Sequence, residues 1–232
     1  MIGIIAAMRV ELEKLLALTE NKKTRSVSGL TFTQGVLEGV DVVMTVSGEG
    51  KVNAALCAEA MILLYAPTLL INTGVAGALS ATLRVPDIAV ARAVKEHDYD
   101  ISPLGYRKGE VLFPGGSALA FEADACFADA VLRAAKELGV HAEDGVIVSG
   151  DAFIADAAVK ERLVREFDGI ACEMEGGAIG HVAYLNGIPF GVIRAISDTA
   201  DDETKYDPDR AAEISVALTR RALSEWKKAK SN

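Results

Sequence analysis

The run IACEMEGGAIGHV, residues 170–182, sets two carboxylates, Glu173 and Glu175, either side of Met174 and follows them with glycine and alanine. Comparable polar endings close other apolar runs. MRVE carries Glu11 just after the first, NTGVAG holds Val75, Ala76 and Gly77, SGDAF holds Asp151 and Phe153, and RAISDTAD holds Arg194, Ser197 and Asp198. In open α/β sheets ligands bind beyond the carboxyl ends of the strands, so these endings point to one site. Carboxylates there supply acid and base chemistry when their surroundings hold them at different protonation states. Small residues beside nearly every ending let a ligand approach the backbone. Taken singly, Asp151, Glu175 and Asp198 also fit helix capping, and for Asp151 that reading leads. Glu173 has no derived role beyond helix-end electrostatics.

Other chemistries are poorly supported. His97, His141 and His181 lack metal-type spacing and read as surface or loop histidines, so no metal is expected. Cys57, Cys126 and Cys172 lie far apart in apolar or helical stretches and read as small core residues. Neither a G-x-S-x-G elbow nor a G-x-G-x-x-G or P-loop pattern occurs, and SGEGKVNAA, residues 47–55, lacks the P-loop placement of glycine and Ser/Thr. The 33 Asp plus Glu against 24 Lys plus Arg give a net charge of −9, which repels phosphate backbones and argues against nucleic acid as a partner. No apolar run reaches the roughly 18 residues of a membrane span, so the expected location is the cytoplasm.

The elements that must position these residues follow from the hydrophobic pattern. Apolar runs at 2–7, 42–48, 69–74, 88–94, 145–150, 169–174 and 190–196 suit strands covered on both faces. Helical patterns occupy 8–20, 51–66, 123–139, 155–167 and about 208–228. This alternation predicts a three-layer α/β/α domain with a mainly parallel sheet. Residues 30–46 read as a hairpin turning at Glu38 and Gly39, which makes the sheet mixed. No linker divides the chain, so residues 1–232 are expected to form a single domain. The unpatterned stretch 97–124 reads as a functional loop.

GIIAAMRVE, SGEGKVNAA, INTGVAGAL, SGDAFI, EMEGGAIGHV and RAISDTAD together, from Ile2 to about Asp201, resemble the 5′-methylthioadenosine/S-adenosylhomocysteine nucleosidases of the nucleoside phosphorylase fold family. The resemblance implies cleavage by water of the N-glycosidic bond of a 5′-thio-substituted adenosine, without metal or organic cofactor, by a homodimer. It implies that Glu11 activates the water and that Asp198 protonates adenine at N7. Glu175 would bind the ribose hydroxyls with Met174 beneath the sugar, while Phe153 stacks on adenine and the backbone at Ile154 reads the base edge. Ser197 and Arg194 would flank the acid, with the arginine near the water and Glu11. Ile101 and Leu104 would line the 5′-substituent pocket of the neighbouring subunit.

The chemistry fits those residue types on its own terms. Adenine leaves poorly as an anion, so cleavage needs a proton on the ring, and a buried carboxyl can hold one near neutral pH. The sugar becomes oxocarbenium-like, which a neighbouring carboxylate stabilises. Two positions depart from the family pattern. Val75 stands where some members carry a water-binding serine, and Glu49 stands where an apolar residue often lines the 5′ region, either altering substrate preference or facing solvent. Three other readings stay open: an aminodeoxyfutalosine nucleosidase, a phosphorylase, and a non-catalytic binding or storage relative. The phosphorylase lacks a basic and hydroxyl cluster for a phosphate dianion. Glu11, Glu175 and Asp198 together speak against the non-catalytic reading.

Overall fold

A computed structural model describes residues 1–201 and 208–231. The elements run β1 (Ile2–Ala6), α1 (Arg9–Leu18), β2 (Glu20–Val27), β3 (Leu30–Leu37), β4 (Val40–Val46), α2 (Lys51–Tyr65), β5 (Leu69–Ala78) and β6 (Ile88–Glu96). There follow β7 (Val111–Phe113), β8 (Gly116–Ala118), β9 (Phe121–Glu122), α3 (Ala125–Leu138), β10 (Ala142–Ser149) and α4 (Ala157–Phe167). The chain continues through β11 (Gly169–Glu173), α5 (Gly176–Leu185), β12 (Phe190–Asp198) and α6 (Pro208–Ser231).

The main sheet has the order β11-β10-β6-β12-β5-β1-β4-β3-β2. Parallel pairing joins β4, β1, β5 and β12, and separately β6, β10 and β11; antiparallel pairing links β6 to β12. β11 also touches β5 antiparallel, at Ala171 against Ala78 and Cys172 against Gly77, so five strands close into a ring. That closure brings the carboxyl ends of β5, β11 and β12 together.

β5 is buried along its whole length because both faces are covered. Its Leu70, Ala76 and Ala78 join a cluster with Cys57 and Met61 of α2 and Ile179 and Ala183 of α5. Its Leu69, Ile71 and Val75 join Leu12 and Leu15 of α1, Phe127 and Val131 of α3, and Leu218 and Leu223 of α6. Period-two alternation thus serves two apolar layers, which is the expected α/β/α sandwich.

The expected hairpin is β3–β4, and Glu38 and Gly39 both take positive φ, at 51° and 70°, which a type I′ turn requires. Several elements escaped the sequence pattern. The first helix stops at Leu18, and ENKKTRSV continues as the exposed edge strand β2, its lysines suiting an edge that must not pair further. GGAIGHVAYL forms α5, a helix apolar nearly all round and therefore without a helical stripe. The loop 97–124 carries a short 3₁₀ turn at 102–104, the β7–β8 hairpin and β9.

Gly191 of β12 lies under α3, where an added Cβ would fall inside van der Waals contact with the Phe127 ring. Gly191→Ala should therefore cost about 1–3 kcal/mol by overpacking, read as a lower urea midpoint at unchanged slope. An unchanged midpoint would mean that α3 has room to shift.

Candidate active site

Most of the expected site residues line one cavity of about 320 Å³ at the carboxyl ends of these strands. Glu11, Val75, Ala76, Gly77, Phe153, Ile154, Met174, Glu175, Arg194, Ser197 and Asp198 all contribute. Ile101 and Leu104 do not. Both lie on the 97–124 loop away from this cavity, and Leu104 is 74% exposed.

Glu11 is delivered by the first turn of α1. Its Oε2 accepts the Met8 N–H at 2.8 Å, closing the helix start, and its Oε1 accepts the Val75 N–H at 3.0 Å. Position 75 thus contributes through its backbone. Gly74 lets this happen, since an added Cβ would collide with Glu11 Oε1 and Arg194 Nη1. Burial pushes the Glu11 carboxyl above its ordinary value, against the opposing pull of Arg194 and of the surrounding N–H groups.

Arg194 projects from β12 and is 1% exposed. Its guanidinium pairs with Glu173, lies 3.3 Å from Glu175 Oε2, and donates to Asn72 Oδ1 and, at 3.4 Å, to the Val75 carbonyl. Burial disfavours its charge, but Glu173, Glu175 and Glu11 outweigh that and hold its pKa above the ordinary value. Glu173 therefore has a role that the sequence did not yield. Besides pairing with Arg194 it accepts the Ser149 hydroxyl and the N–H groups of Glu175 at 3.0 Å and Gly176 at 2.8 Å. The helix-end part of its reading holds, because these donors open α5.

Glu175 sits at the N-cap of α5, where its Oε1 accepts the Gly50 N–H at 2.9 Å. Burial pushes its carboxyl up to about 7, with the Arg194 charge opposing and Glu173 adding to the rise. Asp198, 3% exposed, receives the Ser197 hydroxyl on Oδ2 and the Ala200 N–H on Oδ1, both at 2.9 Å. Gly77 leaves room for it, since a Cβ there would come 2.9 Å from Asp198 Oδ1.

Asp151 takes the capping task instead, accepting the Lys51 N–H at 2.7 Å where α2 begins. Ala7, Met8, Ala152 and Cys172 also line the cavity and were missed. Each adjoins a recognised motif residue, which is the signal that could have found them. Cys126 is exposed, against the expectation of a core residue. His97 is buried against Phe167, and His181 stacks on Phe121 with ring centroids 4.7 Å apart, so neither is a surface histidine. Among the described residues no group of three or more His, Cys, Asp or Glu could hold a metal ion, and no helix is long and apolar enough to cross a membrane.

Fold and pocket define a class: the Phosphorylase superfamily profile matches residues 1–225. A 5′-methylthioadenosine/S-adenosylhomocysteine nucleosidase from Halalkalibacterium halodurans is 41% identical over 213 residues, 91% of each chain. The structure of such a nucleosidase from Colwellia psychrerythraea, in complex with adenine, superposes with a TM-score of 0.90 at 34% identity, covering 97% of this chain and 95% of that one. A futalosine hydrolase structure from Helicobacter pylori gives 0.87 at 31% identity, covering 98% and 97%. The chain belongs to the 5′-methylthioadenosine/S-adenosylhomocysteine nucleosidase family within that superfamily.

The raised Glu175 pKa has a consequence for stability. Between the ordinary value of 4.5 and about 7 the folded state binds more protons than the unfolded state, so this residue's contribution falls as pH rises through that window. Relative to the wild-type chain, Glu175→Gln should gain stability between about pH 5 and about pH 7.5 in urea titrations of unliganded protein. Parallel pH profiles for the two proteins would show that Glu175 is not raised.

Proposed function

We propose that the protein hydrolyses the N-glycosidic bond of 5′-thio-substituted adenosines, releasing adenine and the thioribose. Its substrates would be 5′-methylthioadenosine and S-adenosylhomocysteine, with 5′-deoxyadenosine as a further one. The carrying observation is the meeting of Glu11, Glu175, Asp198 and buried Arg194 in the lining of one cavity, in a chain whose relatives bear that activity by name.

Adenine stacks on Phe153, with the backbone at Ile154 reading its edge, and Asp198 delivers a proton to N7. The Ser197 hydroxyl lies 2.9 Å from Asp198 and 3.3 Å from the Ala76 carbonyl. By turning from donor to acceptor it accompanies either protonation state of the acid. Protonation makes adenine a neutral leaving group. Glu175 accepts the ribose hydroxyls above Met174, and Glu11 takes a proton from the attacking water, its raised pKa making it a stronger base than an ordinary carboxylate. Arg194, beside Glu11 and Glu175, orients both carboxylates and the water. It is the one basic residue among those described as lining the cavity, and its engagement with Glu173 supports water over a phosphate dianion as nucleophile.

A second reading, hydrolysis of aminodeoxyfutalosine, is favoured by the likeness to the Helicobacter pylori futalosine hydrolase. We take residues 1–232 as one nucleosidase domain that works in the cytoplasm, without a cofactor. It would act as a homodimer whose partner supplies Ile101 and Leu104 to the 5′-substituent pocket. Exposed Val52, Leu56 and Leu63 on α2 and Tyr184 and Leu185 on the adjacent α5 support that assembly, since large exposed apolar side chains on neighbouring helices mark an interaction surface.

Purified protein should release adenine from methylthioadenosine and S-adenosylhomocysteine at rates indifferent to added phosphate. Release only with phosphate would make it a phosphorylase, and faster release from aminodeoxyfutalosine would favour the second reading. Asp198→Asn should abolish turnover with an unchanged urea midpoint, whereas Glu11→Gln should remove hydrolysis yet retain nucleoside binding. Activity in the first, or loss of binding in the second, would sink the assigned role. Sedimentation should give twice the chain mass, and Leu104→Asp should lower the apparent activity on longer 5′ substituents.

A further inference from the structure

Glu49 lies in the turn between β4 and α2 and is one of the residues that line the active-site cavity. The turn is tightly fixed. Gly48 and Gly50 flank Glu49 with φ of 84° and 90°, the Gly48 N–H reaches the Ala7 carbonyl at 3.2 Å, and Asn53 donates to the Glu49 carbonyl at 2.7 Å. One residue on, the Gly50 N–H holds Glu175. The Glu49 carboxylate itself has no hydrogen-bond or ion-pair partner among the described residues, whereas Glu11, Glu173, Glu175 and Asp198 are each held by one or more. The cavity offers it no cation either, since Arg194 is turned to Glu173 and Glu175.

Its place in the cavity says what it faces. With the base against Asp198 and Phe153 and the ribose hydroxyls on Glu175, the 5′ carbon points away from the base. We place the 5′ substituent along Ala7, Met8 and Glu49, lining residues to which the base and ribose assignments give no role. We propose that Glu49 is a specificity-determining residue that selects 5′ substituents bearing an ammonium group, as the aminoacyl thioether tail of S-adenosylhomocysteine does, and disfavours tails whose only charge is a carboxylate. This rests on the nucleosidase reading above. A carboxylate on a held turn, with no partner of its own, attracts a cation at the cost of ordering its side chain and repels an anion, so the discrimination comes from both signs. Because Glu49 is exposed, water and salt screen the effect.

The test uses the whole 232-residue chain with three thioethers of adenosine, carrying methyl, 3-aminopropyl and 3-carboxypropyl groups on sulfur. Adenine release gives kcat/KM for each. An exposed pair worth about 0.2–1 kcal/mol corresponds to roughly a one-and-a-half- to fivefold effect for each sign. The aminopropyl to carboxypropyl ratio should thus stand several-fold above one in the wild-type protein, shrink in high salt, approach one in Glu49→Gln and invert in Glu49→Lys. Turnover of the methyl compound with a ratio that neither variant moves would overturn the role of Glu49 alone. Absence of turnover on all three would overturn the nucleosidase reading, and the proposal with it.

Discussion

The site depends on one buried cation. Arg194 is sealed from solvent on β12, and a lone guanidinium there would face a desolvation penalty of several kcal/mol. Glu173 and Glu175 from the end of β11, Asn72 and the Val75 carbonyl from β5, and Glu11 nearby together make the buried charge tolerable. With Arg194 itself, these groups come from four separate segments of the chain. Only the closure of β5 against β11 brings them to one point, so the charge pattern and the strand topology require each other. The pairing also explains why glycine occupies position 74: the backbone there must pass directly beneath the Glu11 and Arg194 head groups.

A second network ties the two ends of the cavity. Lys51, at the start of α2, pairs with Glu96 at 2.9 Å and Asp98 at 2.6 Å, and Asp98 accepts the Asp151 N–H at 2.9 Å. Asp151 in turn accepts the Lys51 N–H. The turn that fixes Glu175 through Gly50 is thereby fastened to the loop carrying Phe153. Neutralisation by these carboxylates holds the Lys51 pKa above its ordinary value despite burial. The spacing between the residue assigned to the sugar and the one assigned to the base is therefore set by charge pairing outside the cavity.

Much of this was legible in the sequence because strand ends announce themselves. Glu11, Glu175 and Asp198 stand just after or at the ends of apolar runs, Glu175 with two glycines behind it, and the resemblance to a known family then gave them expected roles. What could not be read was pairing across the fold. Glu173 and Arg194 are 21 positions apart and meet only when β11 and β12 converge, so Glu173 carried no local sign of its partner. α5 was missed because its first turn is glycine, a poor helix former, and its faces are uniformly apolar. β2 was missed for the opposite reason: an edge strand exposed along its length has no apolar alternation to read. His97 is a loop residue, as expected, but a buried one beside Phe167, and such burial leaves no periodic trace.

The balance of charge in the cavity bears on what it is built to bind. Glu11, Glu173 and Glu175 surround a single guanidinium, and burial raises the pKa of both Glu11 and Glu175. The unliganded site is thus short of positive charge, an unfavourable state that a neutral nucleoside relieves only through its hydroxyls. On the proposed reading, breakage of a glycosidic bond puts positive charge on a sugar held by Glu175. Interactions stronger in that state than in the bound substrate lower the barrier, whereas equal binding of both would not. A cavity with an acidic surplus, fixed by backbone N–H groups before any ligand arrives, is complementary to the charge that develops during cleavage more than to the substrate at rest.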